Sequence, residues 1–390
     1  MNKSAFLLLV YLVVGALSVE CPELTPSTPD YEGILKELEP TTSEKAERKG
    51  GALKLIYTHG VALISKNTGP ASARIVEHDE EEPQALHEYE IEQHIASLDN
   101  PLESGTPHHF AHSFGCWAHG KLRYTATQAT SGNMDNNHGA FLQSSPAEQA
   151  ATLDKMASAL LALHLAGVLH CNVQPKMFGG LGSSITIFNF KKAIKQGSEF
   201  CTKAEIGYAA PELFKSDLSK IKDVPQKFRA ADYFSFGVVL IDMIVKDEER
   251  ASKTLLEKSK DAKYADQDLI SGLITSKFES MMKEADKLAK DQLKAQRLFF
   301  LTQMKTVISG LTKFKVEDRA TLLDMFPAIH CTSAALGQSQ AKSFDEMSKK
   351  LTEVFKSCTK VLEEKKGSMK TPRSLTEAMN EVKSKHKFLI

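Results

Sequence analysis

The chain has 390 residues, 42% of them hydrophobic, which is ample for one large domain or two average ones with a sizeable core. Lysine plus arginine equals aspartate plus glutamate at 49 each, so the net charge is zero. That balance gives no electrostatic ground for nucleic acid or an anionic membrane as a partner, and no arginine–aromatic interleaving points to base stacking.

The first segment reads as an export signal rather than as part of the fold. Lys3 supplies a positive flank, Ala5 to Leu17 is an uninterrupted apolar run, and Ala16 and Ser18 suit cleavage before Val19. Residues 1–18 are therefore expected to be a secretory signal peptide and the mature protein to be secreted. The run is too short for a bilayer, which needs roughly 20 apolar residues, and no later segment approaches that length. No integral membrane span is expected. Residues 19–50 turn to Pro, Thr, Ser, Glu and Lys, with Thr25-Pro26-Ser27-Thr28-Pro29 reading as an extended linker. The folded domain is placed at 51–330. No Asn-x-Ser/Thr acceptor follows the signal peptide, so N-glycosylation is not expected.

All six cysteines, Cys21, Cys116, Cys171, Cys201, Cys331 and Cys358, fall after the signal segment. An even number in an exported chain permits disulfides, and no Cys-x-x-Cys pair points to zinc. Cys331 and Cys358 sit in neighbouring C-terminal segments and are the easiest pair to join. Six buried thiols are the alternative.

Leu53 to Ile64 and Ala71 to Val76 read as strands separated by the turn Asn67-Thr68-Gly69-Pro70. The glycines here (Gly50, Gly51, Gly60, Gly69) form no Gly-x-Gly-x-x-Gly triplet and read as turn positions. Gln84 to Leu98 follows as a helix with Ile91, Ile95 and Leu98 as its apolar stripe and Glu88 and Glu92 among its polar positions. Pro107 to Gly120 holds His108, His109, His112 and His119. Apart from Cys116 nothing stands at a zinc-ligand spacing, so no metal is expected. Lys121 to Gln128 alternates as a strand, and the polar stretch Ala129 to Asn137 reads as a hinge between two lobes.

Ser145-Pro146-Ala147-Glu148 is a helix start: a capping serine, a proline in the first turn, and a glutamate completing a capping box. Leu153, Met156, Ala157, Leu160 and Leu163 recur at helical spacing, with His164 on the same face read as a packed core residue, and Gly167 ends the helix. Three blocks follow in order: Leu169-His170-Cys171-Asn172-Val173-Gln174-Pro175-Lys176-Met177-Phe178, then Ile185-Thr186-Ile187-Phe188-Asn189-Phe190-Lys191, then Gly207-Tyr208-Ala209-Ala210-Pro211-Glu212. Asp232-Tyr233-Phe234-Ser235-Phe236-Gly237 then opens a run to Val245 that is apolar on nearly every face, which suits a buried helix. Residues 247–300 are charged with helical periodicity, Leu298 to Leu311 returns to an apolar stripe, and 331–390 reads as a Lys- and Glu-rich helical extension. Its charges read as a solvated face, or as a partner-binding surface.

In this order and spacing the blocks resemble the catalytic loop, metal-binding loop, activation-segment end and buried helix of a protein kinase. The resemblance implies an α+β, bilobal protein-kinase-like fold with a small β-rich N-lobe and a large helical C-lobe. It also implies that Glu212 pairs with Arg319 and that Asp232 accepts backbone N–H groups of the His170 loop. Arg74 falls where a kinase has its phosphate-binding lysine, with Lys66 the fallback, and Glu88 or Glu92 would be its helix partner.

The positions that carry chemistry have been replaced. His170 keeps a structural place, but Cys171 stands for arginine and Asn172 for the catalytic aspartate. A neutral amide cannot accept the substrate proton, a loss that typically costs about 10²–10⁴ in rate. Gln174 stands for the lysine that steadies the transferred phosphate. Met177 and Asn189 stand for the metal ligands, and neither a thioether nor an amide matches the anionic oxygen that magnesium prefers. Phe190 is retained as a packing residue, and Lys191 brings a positive charge beside the vacant site. Catalytic residues, cofactors and metals are therefore not expected.

With the apolar leader and the missing glycine loop, the chain resembles the apicomplexan rhoptry-type kinases, in particular the branch without that loop, which includes a secreted bradyzoite pseudokinase. The resemblance implies residence in the parasitophorous vacuole or cyst wall and a scaffolding or structural role through protein partners. Two alternatives stand beside it: an atypical active kinase, and a pseudokinase that binds nucleotide as an allosteric ligand.

Overall fold

The structure is a computed structural model that describes residues 47–49, 52–57, 73–79, 83–98, 109–111, 113–119, 122–128, 132–180, 185–195, 206–213, 224–259, 267–337 and 343–385. The leader, residues 19–46 of the linker, Lys66, Cys21 and Cys201 lie outside these residues, whereas Glu47–Lys49 of the expected linker form a strand. The described part is mostly helical with a few short antiparallel strands. It divides into two compact units, one within residues 1–93 and 112–129, the other within 94–111 and 130–390.

The first unit is a five-stranded antiparallel sheet of β1 (Glu47–Lys49), β2 (Ala52–Tyr57), β3 (Ala73–Asp79), β4 (Ser113–His119) and β5 (Leu122–Gln128), in the order β1-β2-β3-β5-β4. β3 is central, pairing Ile75 with Leu55 on one side and with Ala126 on the other. β4 carries an irregularity between Ser113 and Gly115. The sequence does not mark this stretch as a strand, because Gly115 and the scattered polar residues break the period-two pattern. Helix α1 spans Pro83–Leu98, with Ile91 and Ile95 buried at helical spacing.

The helical unit is built around two helices. After the short α2 (His138–Gln143), α3 (Pro146–Leu165) begins as its sequence dictates. Ser145 Oγ accepts from the Glu148 N–H at 3.3 Å, and Glu148 Oε2 accepts from the Ser145 N–H at 2.8 Å. Such a box satisfies two N–H groups that the helix itself leaves unpaired, a contribution of about 1 kcal/mol. Helix α4 (Val224–Ile244) is buried all round from Ala230 onward, including Asp232, Ser235 and Asp242. Gly237 lets the next layer approach it, since a Cβ there would lie 2.5 Å from Thr312 Cγ2. Around these pack α5 (Ala251–Ser259), α6 (Gln267–Asp286), α7 (Asp291–Leu311) and α8 (Leu322–Gly337), with α8 against both α3 and α7.

The boundary expected after residue 330 coincides with no end of an element. It falls inside α8, whose apolar face continues through Ile329, Cys331 and Ala335 against the core. Beyond it, α9 (Phe344–Lys365) and α10 (Pro372–Lys385) are amphipathic and turn their apolar faces to the same unit. Met347, Leu351, Cys358 and Leu362 are fully buried at spacings of four, seven and four, and α10 buries Leu375, Met379 and Val382. Most of the charged positions are left on the outside, as for Lys349, Lys350, Glu363 and Glu364.

Cys331 of α8 and Cys358 of α9 form a disulfide across 27 residues of sequence. Constraining a loop of that length in the unfolded chain contributes about 3.5 kcal/mol on the chain-entropy account. The Cys331→Ser/Cys358→Ser double variant is expected to lose stability of that order in urea unfolding. A loss below about 1 kcal/mol would show that packing alone seats α9. Among the described residues, no helix is long and apolar enough to cross a membrane.

Candidate functional site

The His170 segment is shaped by its ends. α3 closes at Ala166, and Gly167 takes a left-handed φ of 73°, which a side chain would disfavour. The chain then enters β6 (Val168–Leu169), which pairs antiparallel with β9 (Ile194–Lys195). Further on, β7 (Phe178–Gly179) pairs with β8 (Thr186–Ile187). These two ribbons bracket the loop from His170 to Met177 and the turn from Phe188 to Ala193. Between the brackets, the Met177 N–H donates to Gln174 O at 2.9 Å and the Phe188 N–H donates to Met177 O at 3.0 Å.

Asp232 holds this loop from beneath. Its Oδ2 accepts from the His170 N–H at 2.8 Å and its Oδ1 from the Cys171 N–H at 2.9 Å. His164 Nε2 lies 2.9 Å from the same Oδ2. The carboxylate is buried, so the three contacts supply the polar environment that water would otherwise give it. They also explain how Cys171 keeps a φ of 58°, a conformation costly for a non-glycine residue. His170 is buried, with Nε2 within 3.2 Å of Phe188 O and its ring 5.8 Å from that of Phe190. Burial pushes its pKa down more strongly than Asp232 raises it, which keeps the imidazole neutral.

The side chains at the remaining positions are poor in reactive groups. Gln174 and Met177 are buried, Asn172 and Lys191 are half-buried, and Asn189 sits in the left-handed region with φ 67°. From His170 to Ser198 the sequence contains no aspartate or glutamate. Asp232 is the carboxylate that reaches the loop from α4, and it is occupied by backbone N–H groups. Cys171 packs with Leu169 and Ile194, and its sulfur is disulfide-bonded.

Below the loop, Arg319 Nη1 donates to Glu212 Oε1 at 2.6 Å and Nη2 donates to Glu212 Oε2 at 3.1 Å. The guanidinium also donates to the carbonyls of Ala230, Lys313 and Phe314 and lies over the Phe234 ring at 5.2 Å. Beside this pair, Tyr208 donates its hydroxyl to Asp242 Oδ2 at 3.0 Å, and Ser252 donates to Asp242 through both N–H and hydroxyl. Burial raises the carboxyl pKa of Asp242, and the bonds from Ser252 and Tyr208 work against that rise. A cavity of about 220 Å³ opens here between Gln174, Lys176, Tyr208, Arg250 and Lys253. Two of its cations are already engaged: Arg250 with Asp135 and Asp247, and Lys253 with Asp247.

The structure thus brings together His170, Cys171 and Asp232, then His170 with Phe190, and separately Glu212 with Arg319. Arg74 lies on β3, paired with Ile56 and Thr127, and Glu88 and Glu92 lie on α1. The Arg74 side chain is outside the described residues, so the pairing expected of it is too. The sequence reading missed His164 as a ligand of Asp232, the Tyr208–Asp242–Ser252 cluster, and the disulfide at Cys171. The one local signal for Asp242 was a charge inside an otherwise apolar helix. In comparison with known proteins, no family model matches the chain and no curated protein matches it significantly.

Proposed function

We propose that the chain is a secreted kinase homologue without phosphotransferase activity, a scaffold that works through contacts with protein partners. The observation that carries this reading is a contrast within one segment. The groups that hold backbone in place are present and engaged: Asp232 on the loop, and Glu212 with Arg319 below it. The groups that would move a proton or hold Mg²⁺ are absent, with Asn172, Met177 and Asn189 in their places and no carboxylate from His170 to Ser198. A mostly helical chain with short antiparallel strands supports a bilobal arrangement of a small β-rich lobe and a large helical one. The resemblance to rhoptry-type kinases without a glycine loop adds residence in the parasitophorous vacuole or cyst wall.

Thermal melting of the purified chain with ATP and other nucleotides, with and without Mg²⁺ or Mn²⁺, tests the reading. A ligand specific for the folded state stabilises it by RT ln(1 + [L]/Kd), about 2.7 kcal/mol at a hundredfold excess over Kd. The expected result is no shift at millimolar nucleotide. A shift that needs metal would overturn the account of Met177 and Asn189. A metal-independent shift would instead favour an allosteric nucleotide site. Phosphate transfer that Asn172→Ala abolishes would establish an atypical kinase.

A further inference from the structure

The helical unit contains a second cavity, of about 280 Å³, that shares no lining residue with the His170 loop. It lies between the ends of α2, α4 and α6 and the first half of α7, with Leu142, Ile244, Met281 and Leu288 among its apolar walls. Its polar lining includes Arg297 and Lys246, opposed by Glu249 and Glu284. A volume of this size lies at the lower edge of small-ligand pockets, which run from about 300 to 1,000 Å³. At the roughly 30 Å³ that each water occupies in the liquid, it corresponds to about nine heavy atoms.

Arg297 gives the cavity its chemistry. Its Nη1 donates to Gln149 Oε1 on α3. Gln149 is itself fully buried and donates to the carbonyls of Phe141 at 2.9 Å and Leu142 at 3.3 Å. The guanidinium is therefore fixed through α3 to the end of α2, and it lies 5.7 Å from the Phe300 ring. Among the described residues, no carboxylate is in ion-pair range of it. Burial pushes its pKa down, and the nearby charge of Glu284 only partly opposes that. A guanidinium has five N–H donors, and Gln149 takes one. The side chain is only partly buried and lines the cavity.

A fixed, half-buried fork with no ion-paired carboxylate among the described residues, set beside apolar side chains, is half of a charge-assisted pair. We propose that this cavity binds a small monocarboxylate with an apolar body, its carboxylate received by Arg297 and its body lying against Leu142, Ile244, Met281 and Leu288. The planar fork matches the two oxygens of a carboxylate. The neighbours restrict the ligand to one negative charge. Glu249 is offset by Lys277 at 3.3 Å, but among the described residues Glu284 has no such partner, and it would repel the second charge of a phosphate. The inference does not depend on the reading of the His170 loop.

Calorimetric titration of the full chain with hexanoate, hexanamide and inorganic phosphate tests it. Hexanoate is expected to bind and to raise the melting midpoint, and hexanamide and phosphate are expected to do neither. Arg297→Gln should reduce hexanoate binding by tenfold or more. Because that change also touches the Gln149 network, Leu288→Trp provides a second variant that fills the cavity and leaves Arg297 in place; it too should lose binding. Tighter binding of a short apolar peptide with a free C-terminus than of hexanoate would assign the carboxylate to a protein terminus, and weaker binding to a free acid. Absence of hexanoate binding at millimolar concentration to the folded chain would overturn the proposal. So would equal binding of hexanamide or phosphate, or binding that survives both substitutions.

Discussion

Replacing Glu212 with alanine is expected to lower the free energy of unfolding by about 3–5 kcal/mol. The size of the effect comes from what is left behind. The Arg319 side chain is 0% exposed, so its charge would remain in the interior with three carbonyls and the Phe234 ring but no counterion. Arg319→Met is expected to cost a similar amount by a different route. It releases Glu212, which is 14% exposed and can turn toward water, but leaves the carbonyls of Ala230, Lys313 and Phe314 without their donor. The double variant should cost clearly less than the sum, because the second substitution removes the group that the first left unpaired. Urea unfolding of the three variants measures this. Strict additivity, or a cost below about 1 kcal/mol for Glu212→Ala, would mean that the pair is solvated in solution.

Asp232→Ala is expected to be comparably severe, at about 2–6 kcal/mol, since each buried donor left without a partner costs about 1–3 kcal/mol. The two donors are the N–H groups of His170 and Cys171, and His164 loses its partner as well. Cys171 also loses the contact that holds its left-handed backbone. Amide hydrogen exchange distinguishes this from general destabilisation: protection should fall at His170 and Cys171 well beyond the global change. Asp232→Asn should be milder, because its one carbonyl oxygen can still accept one of the two bonds. Unchanged protection at both amides in Asp232→Ala would refute the anchoring role.

Both residues show how unevenly a sequence displays its structure. The start of α3 is written in Ser145, Pro146 and Glu148, because a capping box is made within a single turn. The buried α4 and the amphipathic α9 are equally local, since each is a periodic pattern whose burial follows from its own composition. The strand Ser113–His119 was obscured because its glycine and irregular register break the alternation that marks a strand. Glu212 and Arg319 are 107 residues apart, and the resemblance to kinases, not any periodicity, put them together.

The sequence by itself determined the start of α3, the buried run of α4, the absence of carboxylates from His170 to Ser198, and the candidate cysteine pair that closes α8 onto α9. Only the tertiary structure decided which groups answer one another across the chain. It assigned His164 to Asp232, Tyr208 and Ser252 to Asp242, His330 to Asp154 at 3.0 Å, and Arg297 to a cavity where, among the described residues, no carboxylate pairs with it. The reason is physical. Secondary structure follows from forces between residues three or four apart, whereas a buried polar group is satisfied by whatever donor the packing of helices brings within about 3 Å.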